Sequence, residues 1–446
     1  MSGKASVIGL GKLGSPLAAC LAAKGYSVIG VDADANKVSA LNAGHAPVNE
    51  TGLEETIQRG KERLRATQDI RAAVAETEIT FVVVATPSEP DGGFSLKYAI
   101  PVCEEIGAAL KEKSDFHVVV ITSTVMPGMT GGPLRRALEK SSGKRSGVDF
   151  GLCYGPEFIA LGSVIRDFLN PDFVLLGESD KRSGEILEKL YAKVCDNNPR
   201  VERMNLVNAE LAKLSVNTYV TTKISFANML ARICEKLPGA DVDVVTGALG
   251  MDTRIGRKYL KGAVSYGGPC FPRDNHALAA LAKEVGAPAD LARTTDAFNR
   301  AQIQWLAETA MEYGRGEAIG ILGLTYKSDT DVVEEAAGYL LAQELAKRGA
   351  KVILYDGAGQ ANAMKALAGK AEFAGSATEC IQRSGTVVVA TPWKEFFEVP
   401  TATWQRTGNE RTVMDCWRGL RQLESVEGVN YVGLGLSATL KSARAV

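Results

Sequence analysis

Short apolar runs, each ending at a glycine or a polar residue, recur near the amino end of the chain and predict a buried parallel sheet. Two such runs are residues 5–8 and 26–31, and a helix-forming stretch at 15–24 lies between them. Three more follow at residues 82–87, 118–121 and 150–154, the first of which ends in a turn. Apolar strands that alternate with helical segments are typical of a doubly wound α/β domain, because both faces of a parallel sheet are buried.

A second pattern of the same kind occupies the carboxyl end of the chain. Its predicted strands are residues 318–322, 351–355, 386–392, 413–418 and 429–433. The letters Val-Val-Val-Ala-Thr-Pro occur both at 82–87 and at 387–392, and they indicate two related sheet domains. The carboxyl-terminal copy has no Gly-x-Gly-x-x-Gly turn, so we expect it to bind a different nucleotide.

Between the two patterns the apolar residues are spaced for helices. Residues 208–236 form a long amphipathic segment that stops at Pro238 and Gly239, and further helix extends to about Arg315. A helix of this length between two sheets predicts a spine with a dimer contact. We therefore predict an α/β chain with two Rossmann-like doubly wound sheet domains joined by a central helical domain. The predicted boundaries are 1–205, 206–312 and 313–446.

Composition and charge narrow the classes of function. The chain has 446 residues and a formal net charge of -1, which gives no field to attract nucleic acid or an anionic membrane. Its eight cysteines include no C-x-x-C pair and there are three histidines, so we expect neither a disulfide framework nor a metal site. No apolar run reaches transmembrane length. We expect a soluble cytoplasmic protein.

The glycine turn after the first strand has the context of a dinucleotide-binding site. A strand, the turn from Gly9 to Gly14, a helix and a second strand ending at Asp32 follow in the required order. Asp32 would accept hydrogen bonds from a ribose hydroxyl, which favours NAD over its 2′-phosphorylated relative. The residues that we expect to bind NAD are Gly9, Gly11, Lys12, Leu13, Gly14, Asp32, Lys37, Thr86 and Thr124.

Several polar residues stand where strands end or on one helix face. Thr86 and Thr124 follow strands, at the edge where ligands bind to open α/β sheets. Glu157 is a carboxylate in the loop after the strand at 150–154. Lys213 and Asn217 are four residues apart on the predicted long helix, so they share a face and together could stabilise an oxyanion. Two cations just past strand ends of the second sheet, Lys327 and Arg418, suit a diphosphate.

Cys270 is the candidate nucleophile. Two glycines precede it, prolines flank it on both sides, and Asp274 follows four residues later. Glycines let a backbone approach a ligand and prolines restrict the loop, so this thiol is held in place. A thiol held near titratable groups can act as a nucleophile once it is ionised.

With these motifs in hand, the chain resembles the UDP-glucose/GDP-mannose dehydrogenase family over nearly its whole length. The resemblance rests on seven segments: 9–14 with Asp32, 123–125, 156–158, 209–217, 250–256, 267–274 and 323–327. The central region is most similar to the UDP-glucose branch. The family oxidises the primary alcohol of a nucleotide sugar to a carboxylate with two NAD, so UDP-glucose is the leading substrate and UDP-glucuronate the product.

The resemblance implies a role for each site residue. Cys270 would form a thiohemiacetal and then a thioester. Lys213 and Asn217 would stabilise the oxyanion, and Asp274 would orient the lysine and a water. Glu157 would act as the general base, and Thr124 would hold a water. Arg254 would reach a substrate in a partner subunit, which implies at least a homodimer. The implied substrate-binding residues are Glu157, Phe158, Ile159, Lys213, Asn217, Arg254, Tyr259, Lys261, Gly267, Phe271, Lys327 and Arg418.

Three positions depart from the family pattern. Leu161 stands where relatives have a glutamate, Glu334 replaces an arginine that helps to hold NAD, and Pro269 stands where serine is commoner. A negative charge at position 334 should weaken cofactor binding or change how the domains close.

Other functions stay open at this point. The same machinery could oxidise GDP-mannose or a UDP-N-acetylhexosamine. A simpler hydroxyacid dehydrogenase would need neither Cys270 nor the second sheet domain. A non-catalytic nucleotide-sugar sensor is favoured only by Leu161 and Glu334, and the presence of Cys270, Lys213, Asn217 and Asp274 together argues against it.

Overall fold

The computed structural model describes residues 3–437, and the outermost residues of the first and third predicted domains, 1–2 and 438–446, lie outside this range. The chain forms two compact units, Met1–Ser215 and Val216–Val446. In the described range the strands are β1 (Lys4–Ile8), β2 (Ser27–Val31), β3 (Leu64–Thr67), β4 (Ile79–Val82), β5 (Val118–Ile121), β6 (Gly151–Tyr154), β7 (Phe173–Glu178), β8 (Arg200–Asn205), β9 (Ile319–Leu322), β10 (Val352–Tyr355), β11 (Glu372–Phe373), β12 (Thr386–Val389), β13 (Arg411–Asp415) and β14 (Val429–Gly433).

The helices alternate with these strands, except in the middle of the chain, where helices follow one another. They are α1 (Gly14–Ala23), α2 (Ala35–Ala43), α3 (Leu53–Gly60), α4 (Ile70–Glu76), α5 (Ala99–Glu112), α6 (Arg135–Ser142), α7 (Val164–Leu169), α8 (Lys181–Val194), α9 (Leu206–Cys234), α10 (Val242–Leu249), α11 (Phe271–Glu284), α12 (Asp290–Gly314), α13 (Ala337–Lys347), α14 (Gln360–Ala366), α15 (Ala377–Gln382), α16 (Lys394–Phe397) and α17 (Thr401–Trp404).

The first unit is built on one eight-stranded sheet with the order β3-β2-β1-β4-β5-β6-β7-β8. Every neighbouring pair is parallel except β6 and β7, which are antiparallel. Side chains of β1 alternate between two cores, with Val7 in one cluster and Ile8 in the other. The strand order reverses between β1 and β4, and ligands of such sheets bind beyond the carboxyl ends of the strands at that point.

The second unit contains a six-stranded parallel sheet with the order β11-β10-β9-β12-β13-β14. Apolar clusters cover both faces of this sheet, and β9 lies in its middle as β1 does in the first. Helices α9 to α12 occupy the chain between the two sheets. This architecture confirms the predicted α/β class with two doubly wound sheets and a central helical part.

The repeated Val-Val-Val-Ala-Thr-Pro letters do not mark equivalent positions in the two sheets. The strand predicted at 82–87 runs instead from Ile79 to Val82, and Val82 pairs with Ile8, just before the glycine turn. In the second sheet, Leu322 stands just before Gly323 as Ile8 stands before Gly9, and Leu322 pairs with Val389. Val82 is the first letter of the repeat, whereas Val389 is the third. Strand register is set by pairing across the sheet, which a run of apolar letters does not specify.

The long central helix agrees closely with its prediction, whereas some strands of the structure were not predicted. The long helix predicted at 208–236 is α9, which begins at Leu206 and ends at Cys234. Strands β3, β7, β8 and β11 were not predicted. The β8 sequence Arg-Val-Glu-Arg-Met-Asn is too polar to be recognised as a buried strand, and its residues are only partly buried or exposed.

Candidate functional site

The glycine turn after β1 packs tightly against its neighbours at Gly9 and Gly14 and leaves its backbone open to a ligand at Gly11. Gly9 has φ +100°, and a Cβ there would collide with the carbonyl oxygen of Val83. A Cβ at Gly14 would collide with the carbonyl oxygen of Gly9, so this glycine allows α1 to pack closely on the turn. A Cβ at Gly11 would meet no atom within 4 Å. The backbone at Gly11 is therefore approachable, as a pyrophosphate requires.

Asp32 at the end of β2 is held as a carboxylate beside this turn. Its oxygens accept hydrogen bonds from Leu10 N (2.7 Å) and Asp34 N (2.9 Å), and Lys37 Nζ lies 3.3 Å away. Burial would raise the pKa of Asp32, but the two backbone N–H groups and Lys37 outweigh it and lower that pKa. An ionised acid at this position can accept further hydrogen bonds from ribose hydroxyls, while Lys12 and Leu13 are partly exposed at the start of α1.

The loop that contains Thr124 is fastened at two places. The Thr86 hydroxyl donates to the Thr124 carbonyl at 2.7 Å. Further along, the carboxylate of Glu210 on α9 accepts hydrogen bonds from Gly128 N (2.6 Å) and Thr130 N (2.8 Å). Glu210 has no exposed surface, and burial raises its pKa. The hydrogen bonds from Gly128 and Thr130 to Glu210 were not predicted from the sequence, although Glu210 lies three residues before Lys213 within the segment 209–217.

The backbone and the carboxylate of Glu157 have different partners. Lys213 Nζ donates to the Glu157 carbonyl oxygen at 2.6 Å and lies 4.4 Å from the centre of the Phe158 ring. The Glu157 carboxylate accepts a hydrogen bond from the hydroxyl of Tyr191 on α8 at 2.9 Å. Burial raises the pKa of Glu157 to about 7, against the lowering effects of Tyr191 and Lys213. Ile159 follows in the same partly buried loop.

In the second unit, Cys270 immediately precedes α11 on a tightly packed turn. It is exposed, whereas the other cysteines of the described chain are all buried. Gly268 N donates to the Glu334 carbonyl at 3.1 Å, and a Cβ at Gly267 would collide with the Glu335 carbonyl. The Glu334 side chain is exposed.

Asn217 and Asp274 are brought together by α9 and α11. The Asn217 amide donates to the Asp274 carboxylate at 2.6 Å. Asp274 is 1% exposed, and its own N–H donates to the Cys270 carbonyl at 2.9 Å. The acid is thus linked both to the helix that carries Asn217 and to the residue that carries the thiol. Lys213 lies one helical turn before Asn217 on α9, as predicted.

The remaining predicted substrate contacts have varied surroundings. Arg254 is exposed and its guanidinium pairs with Asp252 at 2.6 Å. Tyr259 is half exposed with φ +64°, and its ring lies edge-on to Phe271 at 6.4 Å. Lys261 is exposed and Lys327 is partly exposed.

Arg418 is turned into the protein. Its guanidinium makes two hydrogen bonds to Asp243 (2.8 and 2.9 Å) and one each to the carbonyls of Cys416 (3.1 Å) and Leu434 (2.7 Å). Its side chain has no exposed surface. These contacts support a structural role for Arg418, and a direct contact with a bound diphosphate stays a prediction.

The second sheet has its own acid after β10, and that acid is already saturated by the protein. Asp356 is 1% exposed and accepts hydrogen bonds from the N–H groups of Leu324 (2.7 Å) and Thr325 (3.1 Å), and from the Trp393 indole (3.2 Å). Gly338 packs on the carbonyl of Gly323 as Gly14 packs on Gly9. The second turn therefore copies the geometry of the first but leaves its acid no room for a ribose.

An open glycine turn beside an ionised acid, together with an exposed cysteine in a chain of two doubly wound sheets, defines an NAD-dependent oxidoreductase. Three family models agree, each of the UDP-glucose/GDP-mannose dehydrogenase family: its NAD-binding domain matches residues 3–195, its central domain 207–301 and its UDP-binding domain 320–422. The chain belongs to this family, and it is an NAD-dependent nucleotide-sugar dehydrogenase.

Individual relatives show the same affiliation. A UDP-glucose 6-dehydrogenase of Haloferax volcanii is 35% identical over 434 residues, which cover 96% of this chain and 99% of that protein. A GDP-mannose 6-dehydrogenase of Pseudomonas aeruginosa is 34% identical over 355 residues, covering 79% and 80% respectively. The solved structure of a UDP-glucose dehydrogenase from Pyrobaculum islandicum has a TM-score of 0.89 and 30% identity, with 98% of each chain covered.

Two further features hold for residues 3–437. No helix in this range is long and apolar enough to cross a membrane. No group of three or more histidine, cysteine, aspartate or glutamate side chains in it could hold a metal ion.

Proposed function

We propose that this chain oxidises the C6 alcohol of UDP-glucose to the carboxylate of UDP-glucuronate, with Cys270 as the covalent nucleophile. The observation that carries the proposal is the exposure of this one thiol on a turn linked to the buried Asp274 and, through it, to Asn217, while the other cysteines of the described chain are buried. The choice of UDP-glucose is supported by two relatives of that activity that match nearly the whole chain, one from Haloferax volcanii and one, 35% identical, from Rhizobium meliloti.

The proposed sequence uses two NAD, each of which accepts one hydride. Loss of a hydride and a proton from the alcohol gives an aldehyde, to whose carbon the Cys270 sulfur adds while the thiol proton passes to oxygen. The resulting thiohemiacetal loses a second hydride and a proton to become a thioester. Water then breaks the carbon–sulfur bond, which releases the carboxylate and restores the thiol.

Each residue near the reacting atoms has a proposed task. Lys213 and Asn217 would stabilise the oxyanion, because a cation and an amide N–H favour developing negative charge. Asp274 would orient Asn217, Lys213 and a water. Glu157 would take the proton of the attacking water, a task that a pKa of about 7 suits near neutral pH. Thr124 would hold that water.

Binding is proposed to follow the three parts of the chain. NAD would contact the glycine turn, Asp32, Lys37 and Thr86 within 1–205, and the nucleotide sugar would contact 313–446. We also propose a homodimer through 206–312, with Arg254 reaching the partner's substrate. Its support is an exposed apolar row on and just after α9, at helical spacing: Tyr219, Phe226, Met229, Ile233 and Leu237.

The first experiment measures NADH formed per molecule of UDP-glucose, UDP-N-acetylglucosamine and GDP-mannose. We expect two NADH from UDP-glucose. Two NADH from one of the other sugars would keep the chemistry and replace the substrate. Absence of NADH from all three would contradict the proposal and point to another sugar or to a nucleotide-sugar sensor with a damaged cofactor site.

Two variants test the residues. We expect Cys270→Ala to lose release of free uronate, and normal release would refute the thioester route. We expect Asp32→Asn to weaken NAD binding, and an unchanged Kd for NAD would remove the ribose contact.

A further inference from the structure

Residues 263–266, immediately before the glycines of the Cys270 turn, form a buried stretch of backbone that belongs to no sheet or helix. Ala263, Val264, Ser265 and Tyr266 are all at most 8% exposed. Buried backbone N–H and C=O groups need hydrogen-bond partners, which sheets and helices usually supply. Here amide side chains from two helices supply partners for Ala263 N and O, Val264 O, and Tyr266 N and O.

Asn228 on α9 and Asn299 on α12 each accept one hydrogen bond from this backbone and donate one to it. Asn299 accepts from Tyr266 N at 2.8 Å and donates to Tyr266 O at 3.0 Å. Asn228 accepts from Ala263 N at 2.8 Å and donates to Val264 O at 2.9 Å. The exposed fractions of Asn228 and Asn299 are 1% and 5%. Each asparagine thus satisfies one backbone N–H and one backbone C=O that no sheet or helix pairs.

Two more buried amides complete this frame. Gln302, one turn after Asn299 on α12, donates to Ala263 O at 3.4 Å. Asn275 on α11 donates to the hydroxyl of Tyr266 at 2.9 Å and to that of Thr221 at 3.0 Å. Tyr266 is therefore fixed at its N–H, its carbonyl and its phenol.

The anchored backbone is separated from the thiol by only three residues. Gly267 and Gly268 are held against the turn at Glu334 and Glu335, and Pro269 restricts the last link to Cys270. A shift of Tyr266 would consequently move the sulfur. We propose that Asn299, with Asn228, is a positioning residue that places the Cys270 thiol for attack on the substrate aldehyde. This inference rests on the proposed covalent role of Cys270.

Asn299→Asp is the sharpest test because it keeps the acceptor for Tyr266 N and replaces the donor to Tyr266 O with an oxygen. Thr295→Val is the matched control. Thr295 is buried one turn earlier on α12, and its hydroxyl lies 3.4 Å from that of Thr222, with no hydrogen bond to residues 263–266. The full chain is assayed for kcat, KM and the Kd of NAD, and for labelling by iodoacetamide followed by mass spectrometry.

We expect Asn299→Asp to lower kcat by about 10- to 100-fold, the range that a misplaced reacting group produces, with the Kd of NAD unchanged. Labelling should stay confined to Cys270, because the other seven cysteines remain buried in a folded chain. Thr295→Val should turn over at the wild-type rate. Wild-type turnover by Asn299→Asp, or an equal loss in Thr295→Val, would overturn the proposal.

Two further results separate the possible failures. If Asn299→Asp is labelled at the buried cysteines, it has unfolded, and the same criteria are applied to Asn228→Asp, which disrupts the hydrogen bonds of the other asparagine to this backbone. If Cys270→Ala turns over normally, the proposed function itself fails. If Cys270 is required but both asparagine variants are fully active, only the positioning role fails.

Discussion

His117, next to the start of β5, is fully buried in the first unit, and both of its ring nitrogens lie within hydrogen-bond distance of a protein oxygen. Nδ1 lies 3.0 Å from the carbonyl oxygen of Thr77, so Nδ1 carries the proton in the neutral ring. Nε2 lies 2.8 Å from the hydroxyl of Thr80, which in turn lies 2.7 Å from that of Ser6. Burial, with a smaller contribution from the charge of Lys113, lowers the pKa of His117 to about 3.

This lowered pKa makes the stability of the first unit depend on pH. Below pH 6.5 the unfolded chain binds a proton at position 117 that the folded chain excludes. The stabilisation by neutral His117 is therefore complete above pH 6.5 and is lost as the pH falls from 6.5 toward 3. The loss amounts to about 1.4 kcal/mol per pH unit, or about 2 kcal/mol between pH 6.5 and 5.

The assay compares wild type with His117→Gln, whose amide keeps hydrogen-bonding capacity but does not titrate. Hydrogen exchange of peptides covering β1, β4 and β5 in the full chain, corrected for intrinsic rates, reports the free energy of opening of this sheet between pH 7.5 and 5. All four tryptophans lie beyond residue 300, so their fluorescence follows the second unit in the same samples.

We expect the wild-type opening free energy to fall by about 2 kcal/mol more than that of His117→Gln between pH 6.5 and 5. His45→Gln is the control for loss of an imidazole, because His45 is exposed and pairs only with Glu54 among the described contacts of its side chain. Equal pH dependence in wild type and His117→Gln would refute the reasoning.

Three further predictions concern the site. Gly14→Ala should destabilise the first unit by about 1–3 kcal/mol and weaken NAD binding, because the added Cβ collides with the Gly9 carbonyl. The control is Gly247→Ala, which should be tolerated because this helical glycine has open space around it. Thermal unfolding and the Kd of NAD check both variants. Tyr191→Phe removes the hydrogen bond that lowers the pKa of Glu157, so the acidic limb of the kcat–pH profile should move to higher pH, and an unmoved limb would contradict a role of Glu157 as the base. Arg418→Met should cost about 2–4 kcal/mol of stability by leaving buried carbonyls without a donor, and a KM increase without any loss of stability would instead support direct substrate contact.

The parts of this protein that the sequence by itself determined are those whose physics is local. The turn from Gly9 to Gly14 and the acid at Asp32 are recognisable because glycine freedom and strand-turn-helix order act over a few consecutive residues. The length of α9, and hence the shared helix face of Lys213 and Asn217, follows from apolar spacing along one segment. The conformational restriction of the loop around Cys270 is likewise encoded by its own glycines and prolines.

The tertiary structure alone decided the features that depend on partners far away in the chain. The register of Val82 and Val389 is a property of strand pairing. The saturation of Asp356, in contrast to Asp32, depends on an indole from Trp393. The inward turn of Arg418 depends on Asp243, which lies 175 residues earlier. The frame around Tyr266 joins Asn228 and Asn299 from two different helices. Buried polar groups must find partners wherever the fold brings them, and no local pattern of residues records which ones meet.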